Sequence, residues 1–158
     1  MQRQLVFLAE YWKSSNNQAL VVLEQRNWLG RKMSGLVSIL MPSYNTGLFI
    51  KETIESVLAQ SYSNWELIIV DDCSTDNTYQ VAKQFADKYP QIRLFKQPTN
   101  QGLLKNYQFI LAQAKGEYLA VLESDDYWID ENKLQKQVDY LDAHPSCHLS
   151  FTGVLHYK

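Results

Sequence analysis

Unbroken apolar runs that alternate with helix-forming segments constrain the fold of this chain more than any other feature of its sequence. Five runs read as strands: LVSILM at 36–41, ELIIVDD at 66–72, IRLFK at 92–96, YLAVLESDD at 118–126 and CHLSFTGV at 147–154. Strands that lack polar alternation are buried on both faces, which is typical of parallel sheets covered by helices. The sequence therefore predicts an α/β fold with three layers, α/β/α, around a mostly parallel sheet.

Four segments between these runs carry apolar residues at helical spacing. The first is marked by Ile50, Ile54, Val57 and Leu58, and the others cover about 81–89, 103–114 and 134–141. Pro90 and Pro145 end the second and the fourth helix, because proline cannot continue a helix. Gly116 is expected to end the third in the left-handed conformation of a helix stop.

The composition indicates one globular domain. Of the 158 residues, 46% are hydrophobic and 20% are charged, which supplies enough apolar material for a core. The net charge of -2 gives no general attraction to nucleic acid, so no nucleic acid partner is expected. An anionic ligand would have to be held by local groups.

Cellular location and the N-terminal segment are less constrained. Cys73 and Cys147 form no CxxC pair, so neither a zinc site nor a disulfide is indicated, and the cytoplasm fits best. No stretch reaches the roughly 18 apolar residues of a membrane span, which leaves a peripheral association with the inner face of the membrane open. Residues 1–35 are expected to be an extension of uncertain structure, either helical or produced by an upstream start codon with Met33 as the alternative start.

Polar and aromatic side chains follow the predicted strands at their carboxyl ends, where parallel sheets bind ligands. They are Pro42, Ser43, Tyr44 and Asn45 after the first strand, Asp71, Asp72, Ser74 and Asp76 after the second, Asn100 and Gly102 after the third, and Glu123, Asp125 and Asp126 after the fourth. An ordinary turn explains the first group alone, and helix capping by Ser74, Thr75 or Asp76 explains the second. Capping does not require two acidic pairs at the ends of neighbouring strands, so the groups together favour a binding site.

Three carboxylates close the fourth strand, in the stretch LAVLESDDYW. Carboxylates within about 4–6 Å of one another raise each other's pKa, and burial at a strand end adds to the cost. A hard divalent cation such as Mg²⁺ or Mn²⁺ removes this conflict, because it prefers carboxylate oxygens and is often shared with substrate phosphates. A solvated acidic turn that caps the next helix is the alternative.

The grouped side chains suit a nucleoside diphosphate that carries a further group. Tyr44 can stack on a nucleobase, and Asp72 can accept a hydrogen bond from a base N–H or a ribose hydroxyl. A metal ion at Asp125 and Asp126 can neutralise a diphosphate. Lys105 can add positive charge, with a plain surface lysine as the alternative.

Three blocks of the sequence resemble, in order and spacing, the nucleotide-sugar-binding half of family 2 glycosyltransferases, which have the Rossmann-like GT-A fold. The blocks are VSILMPSYNTGLFIKETIESVLAQSYSNWELIIVDDCSTDNT at 37–78, NQGLLKNYQ at 100–108 and AKGEYLAVLESDDYW at 114–128. The resemblance runs from about Leu36 to the C-terminus. It implies that residues 36–158 form the donor-binding part and that the chain is truncated before the acceptor half.

The resemblance implies metal-dependent, inverting transfer of a sugar from a nucleotide diphosphate donor to a glycan or lipid-linked acceptor. A UDP-sugar is the donor that we expect first. Polysaccharide or surface glycan synthesis is the usual setting of the family. The donor-binding residues correspond here to Pro42, Tyr44, Asn45, Asp71, Asp72, Lys105 and Asp125, with Asp72 preferred to Asp71 for the base. The Asp-any-Asp element of the family reads Glu123, Ser124, Asp125 here. Asp125 and Asp126 are therefore the first candidates for Mn²⁺ or Mg²⁺, and Glu123, one methylene longer, is the third.

Some family features are altered or have no match. The general base belongs to a later acidic motif that nothing up to Lys158 matches, so a non-catalytic fragment that binds a nucleotide sugar is the alternative function. Cys73 stands where glycine is most frequent in the family, and Lys105 where many members have arginine. A Rossmann dehydrogenase would need a G-x-G-x-x-G turn after the first strand, and a nucleotidyltransferase a loop rich in glycine and basic residues; MPSYNTG has neither.

Overall fold

A mostly parallel sheet with helices on both faces forms the fold of this protein, as a computed structural model of the chain describes it for residues 19–22 and 35–153. The strands are β1 (Ala19–Val22), β2 (Val37–Ser43), β3 (Trp65–Asp71), β4 (Ile92–Lys96), β5 (Tyr118–Val121) and β6 (Leu149–Phe151). The helices are α1 (Ile50–Leu58), α2 (Thr78–Lys88), α3 (Leu103–Gln113) and α4 (Lys133–Ala143). None of these helices has the length and apolar character that a membrane crossing needs.

The six strands lie in the order β4-β3-β2-β5-β1-β6. Strands β2, β3, β4 and β5 are parallel, whereas β1 is antiparallel to both of its neighbours. The chain builds outward from β2 to β4 and then returns along α3 to place β5 on the other side of β2. The strand order therefore reverses between β2 and β5.

Alternate residues of the central strands supply two separate cores, because successive side chains of a strand point to opposite faces. One face packs against α1, α2 and α4, with strand residues Val37, Ile39, Met41, Leu67 and Ile69 in its core. The other face packs against α3, with Leu40, Ile68, Val70, Leu119 and Val121 in its core. The predicted three-layer α/β/α arrangement is confirmed.

The predicted N-terminal extension contributes a strand to the sheet. Ala19–Val22 pairs with β5 on one side and with β6 on the other. These four residues are a strand and not the helix that was one alternative for the extension, because backbone pairing with β5 selects the extended conformation. Residues 1–18 and 23–34, with Met33, lie outside the described residues. The fifth predicted strand is present as β6, at Leu149–Phe151.

Gly116 has a different role from the predicted one. Helix α3 ends at Gln113, and Gly35 and Gly102 are the glycines with positive φ among the described residues, so Gly116 is not a left-handed helix stop. A Cβ atom at Gly116 would lie 2.6 Å from both the carbonyl oxygen of Leu36 and the backbone nitrogen of Ser38. Glycine is needed there because the chain passes against the backbone at the start of β2.

Replacing Gly116 with alanine tests this close approach. We expect Gly116→Ala to lower the free energy of unfolding by about 2–3 kcal/mol, because the backbone has to move to admit the methyl group. Urea denaturation measures the change. Gly153→Ala is the matched control, since nothing lies within 4 Å of a Cβ at that position. An equal effect of the two substitutions would contradict the packing explanation.

Candidate functional site

Strands β2 and β5 stop pairing at the carboxyl edge of the sheet, and we call the place between the loops that follow them the crevice. Their ladder ends at Leu40 and Val121, followed by one more backbone hydrogen bond of 3.1 Å from Leu122 N to the Leu40 oxygen. Beyond it, β2 continues to Ser43 with β3 as its partner. Pro42 suits this stretch, because no β5 ladder remains for its missing N–H to interrupt. Ligands of open α/β sheets bind where the strand order reverses in this way.

Residues 44–49, the β2 loop, are held to residues 72–77, the β3 loop, by Asn45. Its backbone N–H donates to Ser74 Oγ at 2.9 Å, and its Oδ1 accepts from Thr75 N at 2.9 Å. Asn45 has a φ of 54°, in the left-handed region that asparagine tolerates better than most residues. Asn45 therefore fixes the loop that carries Tyr44, whose side chain is about half exposed at the crevice.

Asp71 ends β3 as a fully buried carboxylate. Its Oδ2 accepts a hydrogen bond of 3.3 Å from Ser74 N, whereas its Oδ1 is buried without a hydrogen-bond partner among the described residues. A buried acceptor without a partner is costly. Asp71 thus leaves one acceptor at this edge that a ligand N–H or O–H, or a water molecule, can satisfy.

Asp72 binds the protein backbone with both of its oxygens. Oδ1 accepts from Gln101 N at 2.7 Å, and Oδ2 accepts from Gly102 N at 2.9 Å. The side chain is buried, so it fixes residues 97–102, the α3 loop, in front of α3. Each carboxylate oxygen keeps a second lone pair. The sequence prediction missed this structural role, which depends on a loop distant in sequence.

Helix capping, the alternative for the acidic residues after β3, is correct for Asp76. Its Oδ1 accepts from Thr78 N at 2.9 Å, and its Oδ2 accepts from Gly47 N at 2.9 Å. Burial acts to raise the pKa of Asp76, but the hydrogen bonds from Thr78 and Gly47 outweigh it and hold the pKa below its usual range. Ser74 and Thr75 bond Asn45 instead of capping α2.

Residues 122–132 form the acidic loop, which is anchored at Ser124. The buried Ser124 hydroxyl accepts a hydrogen bond of 2.9 Å from Thr46 Oγ1, and its carbonyl oxygen accepts one of 3.0 Å from Thr53 Oγ1. Glu123 and Asp125 flank this anchor, and the Asp125 and Asp126 side chains are exposed. The acidic motif is therefore fixed through its middle residue while two carboxylates remain accessible.

Tyr107 connects α3 to the acidic loop electrostatically. Burial raises the pKa of Tyr107 above its usual range, and the negative charges of Glu123, Asp125 and Asp126 raise it further. The phenol therefore stays protonated at neutral pH. Lys105, earlier in α3, is exposed with its Nζ 3.5 Å from Gln101 Oε1, so its function stays a prediction.

The carboxylates of the acidic loop suit a metal ion that a ligand also binds. They suit a metal ion held by protein side chains alone less well. No three or more His, Cys, Asp or Glu side chains within residues 19–22 and 35–153 are grouped to hold a metal ion. The assignment of Asp125, Asp126 and Glu123 to a metal ion therefore stays a prediction. Mg²⁺ and similar ions are commonly held by one or two carboxylates together with substrate phosphates. The exposed Asp125 and Asp126 can supply these two carboxylates.

The prediction that the two acidic pairs, Asp71 with Asp72 and Asp125 with Asp126, end neighbouring strands is wrong. They end β3 and β5, which are not neighbouring strands, because β2 lies between them. The end of β2, with Tyr44, therefore lies between the β3 loop and the acidic loop. An elongated ligand can therefore contact all three loops.

Lys133 is buried below the acidic loop, at the start of α4. Its Nζ lies 4.4 Å from the centre of the Trp128 ring and donates to Gln137 Oε1 at 2.7 Å. Burial lowers the pKa of Lys133 to about 7, although the charge of Asp130 opposes this shift. The sequence prediction passed over this residue, since a lysine at the start of a helix usually faces solvent.

Known proteins match this chain over the region that forms the sheet and the crevice. The model of the family described as Glycosyl transferase family 2 matches residues 38–153. The putative teichuronic acid biosynthesis glycosyltransferase TuaG of Bacillus subtilis is 42% identical over 118 residues, which cover 75% of this chain and 46% of that protein. The UDP-Glc:alpha-D-GlcNAc-diphosphoundecaprenol beta-1,3-glucosyltransferase WfgD of Escherichia coli is 42% identical over 106 residues, covering 67% of this chain and 41% of that protein.

A solved structure shares the fold. S. aureus TarS 1–349, in complex with UDP-GlcNAc, superposes with a TM-score of 0.64 at 32% identity, over 69% of this chain and 32% of that chain. The predicted Rossmann-like fold of the GT-A type is confirmed by this likeness. The chain spans less than half the length of each of these relatives.

Substitution of Cys73 tests the left-handed backbone conformation in the β3 loop. It has a φ of 61°, a conformation that costs a residue with a Cβ about 1–2 kcal/mol and glycine very little. We expect Cys73→Gly to raise the free energy of unfolding by up to about 1 kcal/mol and Cys73→Val to lower it by about 1–2 kcal/mol, as measured by urea denaturation. Cys147→Val is the control at the other free cysteine. A Cys73→Gly protein that is clearly less stable than the wild type would contradict the assignment.

The lowered pKa of Lys133 predicts that the stability of the protein depends on pH. The unfolded chain keeps the proton of this lysine up to its ordinary pKa of 10.5, whereas the folded chain loses it near 7. Between these values the unfolded state binds more protons, so the contribution of Lys133 to stability rises with pH. We expect Lys133→Met to be more stabilising at pH 6.5 than at pH 9.5 in urea denaturation. Equal stabilisation by Lys133→Met at the two pH values would refute the effect.

Proposed function

Because this chain belongs to glycosyl transferase family 2, we propose that it forms the donor-binding part of an inverting sugar transferase. The donor is a nucleoside diphosphate sugar, held together with Mn²⁺ or Mg²⁺ in the crevice between β2 and β5. The observation that carries this proposal is the convergence of three loops on one edge: Tyr44 and Asp71 lie on one side of the crevice, and Asp125 and Asp126 on the other.

The nucleoside occupies the side of the β2 and β3 loops in this proposal. The exposed Tyr44 ring stacks on the base beside Pro42, and Asn45 keeps the loop in place. The unpartnered Oδ1 of Asp71 and the second lone pairs of Asp72 accept hydrogen bonds from the base or the ribose. Lys105, at the start of α3, adds positive charge on the same side.

The diphosphate lies against the acidic loop. Asp125 and Asp126 hold the divalent ion, and Glu123 is the third candidate. The ion, when bound, offsets the negative charge that builds on the departing diphosphate. The anchor at Ser124 fixes the loop that carries the carboxylates that would hold the ion.

Transfer replaces the bond from the anomeric carbon to the diphosphate with a bond to the acceptor oxygen. Attack from the side opposite the leaving group inverts the anomeric centre, and a general base takes the proton of the acceptor hydroxyl. The carboxylates described at this edge already have other roles: Asp71 and Asp72 are given to the nucleoside, Asp76 bonds the backbone, and Asp125, Asp126 and Glu123 are given to the metal. The base therefore stays unassigned, and donor binding without transfer is the alternative function for the chain by itself.

The relatives support a choice of donor and acceptor. The TarS structure holds UDP-GlcNAc, and the name of WfgD specifies UDP-Glc as donor and a diphosphoundecaprenol-linked sugar as acceptor. We infer a UDP-sugar as donor and a glycan or lipid-linked acceptor in polysaccharide synthesis. A lipid-linked acceptor would bring the protein to the inner surface of the membrane, as a peripheral protein of the cytoplasm.

Calorimetric titration tests the donor site. UDP, GDP and dTDP are titrated into the protein with and without Mn²⁺. We expect UDP to bind most tightly, and Mn²⁺ to strengthen its binding by about tenfold or more, as suits a bridged charge interaction. The double variant Asp125→Asn plus Asp126→Asn should lose the effect of Mn²⁺, because its amide side chains no longer supply anionic ligands.

Asp139→Asn provides the matched control, since this exposed carboxylate lies in α4 away from the acidic loop. Its titrations should match those of the wild type. UDP binding that is indifferent both to Mn²⁺ and to the double substitution would reject the metal site. Turnover of a UDP-sugar with a defined acceptor would decide for transfer over binding alone.

A further inference from the structure

A ladder of hydrogen bonds joins one face of α1 to the acidic loop. Thr53 Oγ1 donates to the carbonyl oxygen of Ser124 at 3.0 Å. One turn later, Ser56 Oγ accepts from Trp128 N at 3.1 Å. Beyond the end of α1, Gln60 Nε2 donates to the carbonyl oxygen of Asp130 at 2.9 Å.

The ladder continues to the start of α4. Gln60 Oε1 accepts from Leu134 N at 3.0 Å, and Ser61 N donates to the carbonyl oxygen of Glu131 at 2.8 Å. The contacts advance in the same direction along α1 and along the loop. The backbone of an irregular loop has no strand or helix partners, so these groups satisfy it where it runs over the protein.

Thr53 stands where an amphipathic helix ordinarily carries an apolar residue, and Gln60, just beyond the helix, is also buried. Thr53 is 1% exposed and Gln60 is 7% exposed, while their helix neighbours Ile54 and Val57 are fully buried in the core. Burying a polar side chain is costly unless it forms hydrogen bonds. Here Thr53 and Gln60 bond the backbone of the acidic loop, and Gln60 also bonds the start of α4 at Leu134. The polar character of this face thus serves the acidic loop and the helix that follows it.

We propose that Thr53, Ser56 and Gln60 are positioning residues for the donor site, which hold the acidic loop in the conformation that its carboxylates need. The inference rests on the proposed function for its ligand, a metal ion with a diphosphate. The three side chains act through the loop backbone and do not touch the ligand. Thr53 carries the largest share, because its bond reaches the residue between Glu123 and Asp125.

Hydrogen exchange tests the hold on the loop without any ligand. The substitutions are Thr53→Val, which keeps the shape of the side chain, and Ser56→Ala. We expect amides of residues 122–132 to exchange about tenfold faster in each variant, as the loss of one hydrogen bond allows, with α2 amides unchanged. Thr53→Ser, which keeps the hydroxyl, should exchange like the wild type.

Ser38→Ala is the control for general destabilisation. Ser38 is fully buried at the start of β2, where its hydroxyl bonds Glu66 at 2.7 Å and Gly116 N at 2.8 Å. It lies at the opposite edge of the sheet from the acidic loop. The variant should lose stability without a selective rise of exchange in residues 122–132.

The second measurement is the factor by which Mn²⁺ strengthens UDP binding. A merely structural role would weaken binding with and without metal alike. We expect Thr53→Val to reduce this factor about fivefold or more and to leave metal-free UDP binding within about twofold, because the nucleoside side of the crevice keeps its contacts. Ser38→Ala and Thr53→Ser should keep the wild-type factor.

The outcomes separate this inference from the proposed function. If the amides of residues 122–132 exchange no faster in Thr53→Val and Ser56→Ala than in Ser38→Ala, the positioning role is overturned. An unchanged Mn²⁺ factor in Thr53→Val, with loss of that factor in the Asp125 and Asp126 double variant, overturns its link to the metal. A wild-type protein that binds no UDP would refute the proposed function, while the exchange rates would still decide whether α1 holds the loop.

Discussion

The early end of the pairing between β2 and β5 is the constraint on which the rest of the site depends. In open α/β sheets the ligand-binding crevice lies beyond the carboxyl ends of two neighbouring strands at which the strand order reverses. Here the ladder stops at Leu40 and Val121, three residues before β2 ends, and the strand order reverses at the same place. The crevice is thus a consequence of topology, and the loops on either side need only supply the right side chains.

Those loops are tied to one another because several of their polar side chains bond the protein backbone. Asp72, Asp76 and Asn45 use their oxygens to accept backbone N–H groups from other loops. The carboxylates of Asp71 and Asp125 differ from these, since one keeps a buried acceptor without a partner and the other is exposed. A division between bonded and available groups of this kind is what a preorganised binding site requires.

The sequence predicts the layers of this fold well because unbroken apolar runs and helical spacing are local signals. It also places the candidate groups on one edge, since parallel strands share a carboxyl end. Three features depend on contacts between distant segments, and no local pattern encodes them: the pairing of Ala19–Val22 with β5, the close approach of Gly116 to β2, and the capture of Gln101 N by Asp72. One weak signal was available, namely the polar Thr53 and Ser56 next to the apolar residues of the same helix.

The hydroxyl chain through Thr46 has a thermodynamic consequence. Thr46 belongs to the β2 loop, and its Oγ1 lies 2.9 Å from both Ser43 Oγ and Ser124 Oγ. One side chain therefore joins the half-site around Tyr44 to the half-site around Asp125. By reciprocity, any free energy that occupancy of one half-site lends to the other is returned in equal amount, so in the proposed donor site the two halves would bind their parts of the donor cooperatively.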